Sequence, residues 1–417
     1  MLNYRKETLF VENVSLSSLA EEYGTPLYVY SRSKLVENYR VFDKAFGQVS
    51  HIVCYALKAN SNHTVLKTLA KEGSGVDITS GGELYRSLKA GFNPGKIVYA
   101  GIGKTAAEIE YALKNKILMF NAESVEELYA LNGIAGRLGR KASLAFRVNP
   151  DVDANTHKHI TTGKSGSKFG IPYKEALSVY KLAKSLKNID VAGIHCHIGS
   201  QITDVKPFHL MALRMRQIYD NLLELGIKLR YIDLGGGLGI QYKNEKTHTP
   251  AELAGSVLPV FRGCDCTFIV EPGRYIVGNT GYLVAGVTYR KKADGKNFLI
   301  VDAGMNDLVR PTLYEAYHDI VVAKRPGRKK VLVDVVGPIC ETGDFLGKGR
   351  MLPWVEQGER LVVKCAGAYS MAMSSQYNSR VRAAEVMVGG RSAKLIRERE
   401  KYEDLIIKEK ISFKRTA

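Results

Sequence analysis

Lys58 stands at the end of an apolar run, Cys54-Tyr55-Ala56-Leu57-Lys58-Ala59-Asn60, with almost no polar preparation. Residues 51–57 are rich in β-branched and aromatic side chains and short enough for a buried strand, so the amine is expected at the strand's C-terminal end. That is where α/β barrels keep their reactive groups. An amine partly desolvated there is a competent nucleophile toward an aldehyde. The plainer reading is a lysine whose stem lies on apolar surface while its head reaches water.

Further along, Asp233-Leu234-Gly235-Gly236-Gly237-Leu238-Gly239 carries glycines after a short apolar run, which lets backbone N–H groups approach an anion closely. In a barrel the loops after strands seven and eight are the usual phosphate site. Ser200 could add a hydroxyl to the same phosphate. As an isolated feature the glycine run is an ordinary tight turn. Glu271, in Glu271-Pro272-Gly273-Arg274, offers a carboxylate after the next apolar run, and His197 offers an imidazole that could stack on a ring. His197 could equally be a satisfied core or loop histidine. A lysine, a phosphate cradle and a rim carboxylate together suggest pyridoxal phosphate: its aldehyde needs an amine, its phosphate needs donors, and its pyridine nitrogen needs a partner that tunes it.

The elements that must position these groups follow a period. Strand-length apolar runs occur at residues 51–57, 75–79, 97–100, 117–120, 143–148, 191–196, 231–234 and 267–270, and helical patterns lie between them at 82–90, 105–114, 124–131, 173–186 and 208–225. Such alternation implies a closed (β/α)8 barrel of the TIM type over residues 33–275. On that scaffold Lys58, Asp77, Arg147, His197, Gly235 to Gly237 and Glu271 all fall at one rim.

After about residue 275 the pattern changes to strands without helices, at 282–289, 297–302, 330–336, 360–365 and 383–388. These imply a second, mainly antiparallel β domain over residues 276–417, joined by the opening residues 1–32 with their strand-like stretch at 25–30. Residues 391–410 read as a charged helix packed by one stripe of Leu395, Ile396, Leu405 and Ile406.

Composition bounds the rest. The chain has 417 residues with 45% apolar content, enough for a real core, and 60 Lys+Arg against 42 Asp+Glu give a net charge of +18. The basic residues are scattered, and the densest stretch, at 324–330, reads as an exposed turn, so nucleic acid is not the expected partner. The field instead suits capture of an anionic substrate or a phosphorylated cofactor. The six cysteines have neither zinc-ligand nor disulfide-framework spacing, and Cys264 with Cys266 is not a C-x-x-C pair. No metal site is expected. Reduced thiols, with no leader-like segment and no long apolar run, point to the cytoplasm and away from a membrane.

The motifs resemble the alanine-racemase-like pyridoxal phosphate decarboxylases, of fold type III. The likeness covers nearly the whole chain and rests on Tyr55 to Asn60, His195 to Gln201, Gly235 to Gly237, Glu271 to Arg274, Asp302 to Tyr314, Gly337 to Asp344 and Gly367 to Ser370, seven motifs in order. It implies a barrel carrying a β domain. It also implies that Lys58 bonds the cofactor's aldehyde, that His197 stacks on the ring, and that Ser200, Gly235, Gly236, Gly237 and Tyr369 hold the phosphate. Glu271 would face the pyridine nitrogen, and Pro272, Gly273 and Arg274 would also contact the cofactor. Arg274, Arg310, Tyr314, Glu341 and Tyr369 would bind substrate, with the arginine forks on a distal carboxylate and Glu341 on the distal ammonium. Cys340 would return a proton to the α carbon.

The resemblance further implies a homodimer in which Cys340 and Glu341 serve the other subunit's site. The implied reaction is loss of the carboxylate at the D centre of meso-2,6-diaminopimelate, giving L-lysine and carbon dioxide, the last step of lysine biosynthesis. Decarboxylation of ornithine or carboxynorspermidine on the same fold is the alternative, and a non-catalytic cofactor-binding homologue a remote one. A racemase of this fold would put an arginine where Glu271 stands. The spacer Lys164-Ser165-Gly166-Ser167 before Lys168-Phe169-Gly170 differs from the family's usual one and carries no chemistry.

Overall fold

His51–Ala56 pairs in parallel with both Gly75–Ile78 and Thr267–Val270. Following the pairing through Ile97–Tyr99, Met119–Ala122, Ala142–Asn149, Ile189–His195 and Tyr231–Asp233 returns to the start, so eight parallel strands close into a barrel. The computed structural model describes residues 2–153, 168–325 and 327–410. The variant spacer at 164–167 lies outside them. Two compact units make up the chain: Leu35–Gly278 holds the barrel, and Met1–Lys34 with Asn279–Ala417 holds the β domain.

Barrel strands are covered on both faces, which is why they read as apolar runs rather than as alternating ones. One interior layer takes a side chain from each of six strands: Cys54, Val98, Met119, Ala145, Ala192 and Ile269. Tyr180, on the outer helix Ala176–Ser185, reaches inward with its hydroxyl, donating to Gly193 O at 2.7 Å and accepting from Phe146 N at 3.2 Å. Several barrel helices start where their caps dictate. Thr105 and Glu108 form a capping box before Ala106–Lys114, and Thr249 and Glu252 do the same before Pro250–Val257.

In the β unit, Leu27–Ser31 is buried along its whole length because it is a central strand. It lies antiparallel to Gly281–Ala293 and parallel to Ala384–Gly389. Its alternate residues feed two cores: Tyr28 and Tyr30 join Leu283, Val301 and Leu361, while Leu27 and Val29 join Leu9, Val11 and Val386. The sheet is mainly antiparallel, with a second parallel pair between Lys296–Val301 and Lys330–Val336. Strands at Ile320–Val322 and Phe345–Pro353 complete it; the first is only three residues long and the second is broken by Gly347 and Gly349, which hides both from a pattern search.

The tail overturns its expectation. Residues 391–410 do not form one helix: Ser392–Arg397 is a strand antiparallel to Ala384–Gly389, and only Tyr402–Ile406 is helical. Leu395 packs on one core and Ile396 on the other, the opposite-face placement that only a strand gives adjacent residues. Gly390-Arg391, with Gly390 at φ +64°, supplies the tight turn between the two strands.

Candidate active site

The rim at the C-terminal ends of the barrel strands gathers the polar residues that a barrel interior otherwise excludes. Lys58 lies in the 3-10 turn Leu57–Ala59 directly after the first strand, its side chain 39% exposed. Its Nζ donates to Oδ2 of the fully buried Asp77, in the second strand, at 2.5 Å. Burial first, and then repulsion from Glu271, push the Asp77 carboxyl up to about 7 although Lys58 pulls the other way.

Glu271 follows the eighth strand and is itself buried. Its Oε2 lies 3.4 Å from Nε2 of His195, the last residue of strand six. Burial opposes its charge, but His195, and after it Lys58, outweigh burial and hold the carboxyl well below the usual range. His195 is shifted upward: burial disfavours its cationic form, and the charge of Glu271 is the chief influence opposing that cost. Asp233 takes the opposite course. Burial and the charge of Glu271 drive it well above the ordinary carboxyl value, with Gly235 N donating to Oδ1 at 3.0 Å and Asn121 Nδ2 to Oδ2 at 3.1 Å. Environment therefore separates two neighbouring acids into a charged Glu271 and a neutral Asp233.

The ligating atoms of His195, Asp233 and Glu271 lie within 4.8 Å of one another, a spacing that a metal could use. The opposite shifts of the two acids, with the imidazole beside Glu271, already give the cluster a role as the support of one ionised carboxylate.

Two residues beyond His195, His197 is half-buried, with Nδ1 accepting from Gly236 N at 3.1 Å. Burial, aided by the charge of Arg147, keeps this imidazole neutral. The glycine run is required by close approach: a Cβ on Gly236 would run into the carbonyl oxygen of Glu271, and Gly237 stands at φ +119° against Gly199 O. Glu271 N in turn donates to Gly235 O at 2.8 Å, and Pro272 O accepts from Ala56 N at 3.2 Å, so the loops after strands seven and eight and the start of the lysine turn are stitched together. Arg274, buried after Gly273, donates to Ser200 Oγ at 3.0 Å and to the Tyr242 hydroxyl at 2.8 Å. The structure thus puts one arginine, one serine and the three glycines of the expected cradle in one neighbourhood.

The remaining expected residues belong to the β unit. Arg310, buried, begins the short helix Arg310–Tyr314, which also carries Tyr314. Thr312 Oγ1 on that helix donates to Gly343 O at 2.6 Å, tying it to the loop that bears Cys340 and Glu341, both exposed. Asp344 shapes this loop by accepting from Ile339 N and Met305 N, each at 2.6 Å. Tyr369 holds φ +55°, a backbone region that a bulky side chain seldom adopts without a functional reason.

Sequence reading left several contributors without a role. Tyr242, Asn121 and Glu123 carried no local signal beyond a polar residue in or beside an apolar run. Glu123 accepts from Gly101 N and Gly170 N, each at 3.0 Å, and from Arg147 at 3.3 Å, so it joins the ends of three strands. Asn121, in Met119–Ala122, could have been flagged as a polar residue in the middle of a buried strand.

Comparison with known proteins finds near-full-length relatives. The family model for the pyridoxal-dependent decarboxylase pyridoxal-binding domain matches residues 32–278. Diaminopimelate decarboxylase of Aquifex aeolicus is 50% identical over 406 residues, covering 97% of this chain and 96% of the relative; that of Vibrio cholerae is 50% identical over 405 residues, covering 97% of each. Among solved structures, diaminopimelate decarboxylase from Helicobacter pylori complexed with L-lysine superposes with a TM-score of 0.91 at 43% identity, covering 94% of this chain and 98% of that one. The enzyme from M. jannaschii in co-complex with L-lysine gives 0.94 at 37% identity, covering 99% and 98%.

Proposed function

The chain belongs to the diaminopimelate decarboxylases, pyridoxal-dependent carboxy-lyases, and from that premise we propose that it converts meso-2,6-diaminopimelate into L-lysine and carbon dioxide through the residues assigned below. The observation that carries the residue assignment is the pairing of the Lys58 amine with a buried acid beside a second acid, Glu271, that its surroundings keep ionised.

Pyridoxal phosphate, when bound, supplies an aldehyde for the substrate amine and a ring that accepts the electron pair left by the departing carboxylate. The residues fit it: a Cβ would fill the glycine cradle, Arg274 and Ser200 add a cation and a hydroxyl to it, and a buried carboxylate stands ready for a protonated nitrogen. Lys58 is the amine that holds the cofactor, and Asp77 is the group that exchanges its proton. Glu271 keeps the pyridine nitrogen protonated. His197, its plane set by the bond to Gly236 N, covers one face of the ring. Ser200, Gly235, Gly236, Gly237 and Tyr369 hold the phosphate, flanked by Pro272 and Gly273. Arg274, by its bond to Ser200, is better suited to the phosphate than to a distal carboxylate.

On the substrate side, Arg310 and Tyr314 take the distal carboxylate, Tyr369 lines the same region, and Glu341 takes the distal ammonium. The bond to be broken must stand perpendicular to the cofactor ring, so this distal clamp selects which carboxylate leaves. Cys340 then gives a proton to the α carbon. Exposure of Cys340 and Glu341 supports a homodimer in which they complete the partner's site. A cytoplasmic setting is supported by the six free cysteines. Among the described residues no helix is long and apolar enough to cross a membrane.

Near-full-length similarity to diaminopimelate decarboxylases favours this substrate over ornithine or carboxynorspermidine, and the presence of both Lys58 and Cys340 weighs against a non-catalytic homologue. The test is release of carbon dioxide and L-lysine from meso-diaminopimelate with and without added pyridoxal phosphate, with ornithine as competitor. Borohydride reduction of the holoenzyme should label Lys58. Turnover of ornithine in preference, or a label elsewhere on active protein, would replace this reading.

A further inference from the structure

We propose that His318 is a positioning residue for substrate recognition, holding the guanidinium of Arg310 in the orientation that receives the distal carboxylate. The inference rests on the assignment of Arg310 to that carboxylate. His318 is fully buried and Arg310 nearly so, and Nη1 of Arg310 lies 2.8 Å from Nε2 of His318. A guanidinium only donates, so Nε2 must present its lone pair and the ring proton must sit on Nδ1. Nδ1 lies 2.8 Å from the carbonyl oxygen of Lys364, which accepts that proton's hydrogen bond. The tautomer is thereby set from both sides, and the imidazole is a rigid spacer between main chain and arginine.

The anchor at the far end belongs to the sheet. Lys364 N donates to Asp319 O at 2.8 Å, continuing the antiparallel pairing in which Ile320 faces Val363, and Lys364 Nζ meets Asp319 Oδ2 at 2.7 Å. Arg310 itself opens a helix of five residues, Arg310–Tyr314, that ends in Glu315 at φ +51°. One N–H of the fork is spent on His318, which fixes the plane of the others. A bidentate carboxylate partner is sensitive to that plane, and an arginine already oriented loses less side-chain freedom on binding.

The experiment separates the two ends of the imidazole. His318→Asn can keep a donor near the Nδ1 position for Lys364 O and loses the acceptor that faces Arg310; His318→Gln can place an acceptor near the Nε2 position. The readout is competitive inhibition of the holoenzyme by L-lysine, which keeps the distal carboxylate, and by 1,5-diaminopentane, which has none. In His318→Asn the inhibition constant for L-lysine and the KM for meso-diaminopimelate should rise about tenfold, with kcat within about twofold and 1,5-diaminopentane unaffected. His318→Gln should return L-lysine affinity toward the wild-type value. Arg310→Lys serves as the reference. If it raises the L-lysine constant and His318→Asn does not, or if His318→Asn weakens both amines equally, His318 has no positioning role. If Arg310→Lys leaves L-lysine binding unchanged, the assignment of Arg310 fails, and this inference with it.

Discussion

Lys58 Nζ and Asp77 Oδ2 are 2.5 Å apart, joining the turn after the first barrel strand to the middle of the second. The carboxyl is fully buried and its pKa stands at about 7, above the ordinary value of about 4. The folded chain therefore keeps a proton that the unfolded chain releases between those values. Its stabilising effect is complete below about pH 4 and is lost as pH rises through about 7. Asp77→Asn removes the loss, so the Tm of the variant apoprotein minus that of the wild type should climb by a few degrees from pH 5 to pH 8. An unchanged difference across that range would mean that Asp77 titrates as an exposed carboxyl does.

Glu271→Gln keeps the shape of the side chain and removes its charge. The cofactor should still bind through Lys58, while kcat falls by about two orders of magnitude or more, because an amide cannot keep the pyridine nitrogen protonated. The check is steady-state turnover normalised to bound cofactor. Activity within tenfold of wild type would remove Glu271 from the mechanism.

Arg274 joins Ser200 to Tyr242 at the glycine cradle. Replacing it with glutamine should weaken pyridoxal phosphate binding by about 10- to 100-fold, the scale of a hydrogen bond to a charged group. Pyridoxal without its phosphate should bind the variant and the wild type about equally. A loss confined to KM for diaminopimelate would instead place Arg274 on the substrate's carboxylate.

If Cys340 and Glu341 serve the partner's site, two inactive proteins should rescue one another. Lys58→Ala and Cys340→Ala, mixed and allowed to exchange subunits, should regain up to about a quarter of wild-type activity, since half of the dimers are mixed and each holds one intact site. Mixtures that stay as inactive as their parents under proven exchange would mean that each chain builds its site alone.

Glu385 is buried in the β unit, with Oε1 accepting from the Tyr30 hydroxyl and Oε2 from Arg397 Nε, both at 2.8 Å. Arg397→Ala leaves that buried charge without its cation and should cost about 3 kcal/mol in denaturant unfolding. Were the tail a solvated helix, the same change would cost less than about 0.5 kcal/mol.

The tail also shows where sequence reading stops. Leu395, Ile396, Leu405 and Ile406 fit a helical stripe on paper, yet Leu395 and Ile396 enter different cores, because the strand Ala384–Gly389 was waiting for a partner across the Gly390-Arg391 turn. Local pattern cannot weigh a pairing whose other half is set by the opening strand Leu27–Ser31. Asn121, Tyr242 and His318 escaped notice for the same reason: each is defined by a partner distant in the chain or on another element.

By itself, the order of residues determined that strands and helices alternate and that Lys58, His197, the Gly235–Gly237 run and Glu271 follow strands at one end of a barrel, because burial and backbone period are local properties of a chain. Which of two neighbouring acids keeps its charge, and which arginine turns to Ser200, were decided only in three dimensions. Those outcomes depend on distance and on the exclusion of water, and neither exists until the barrel has closed.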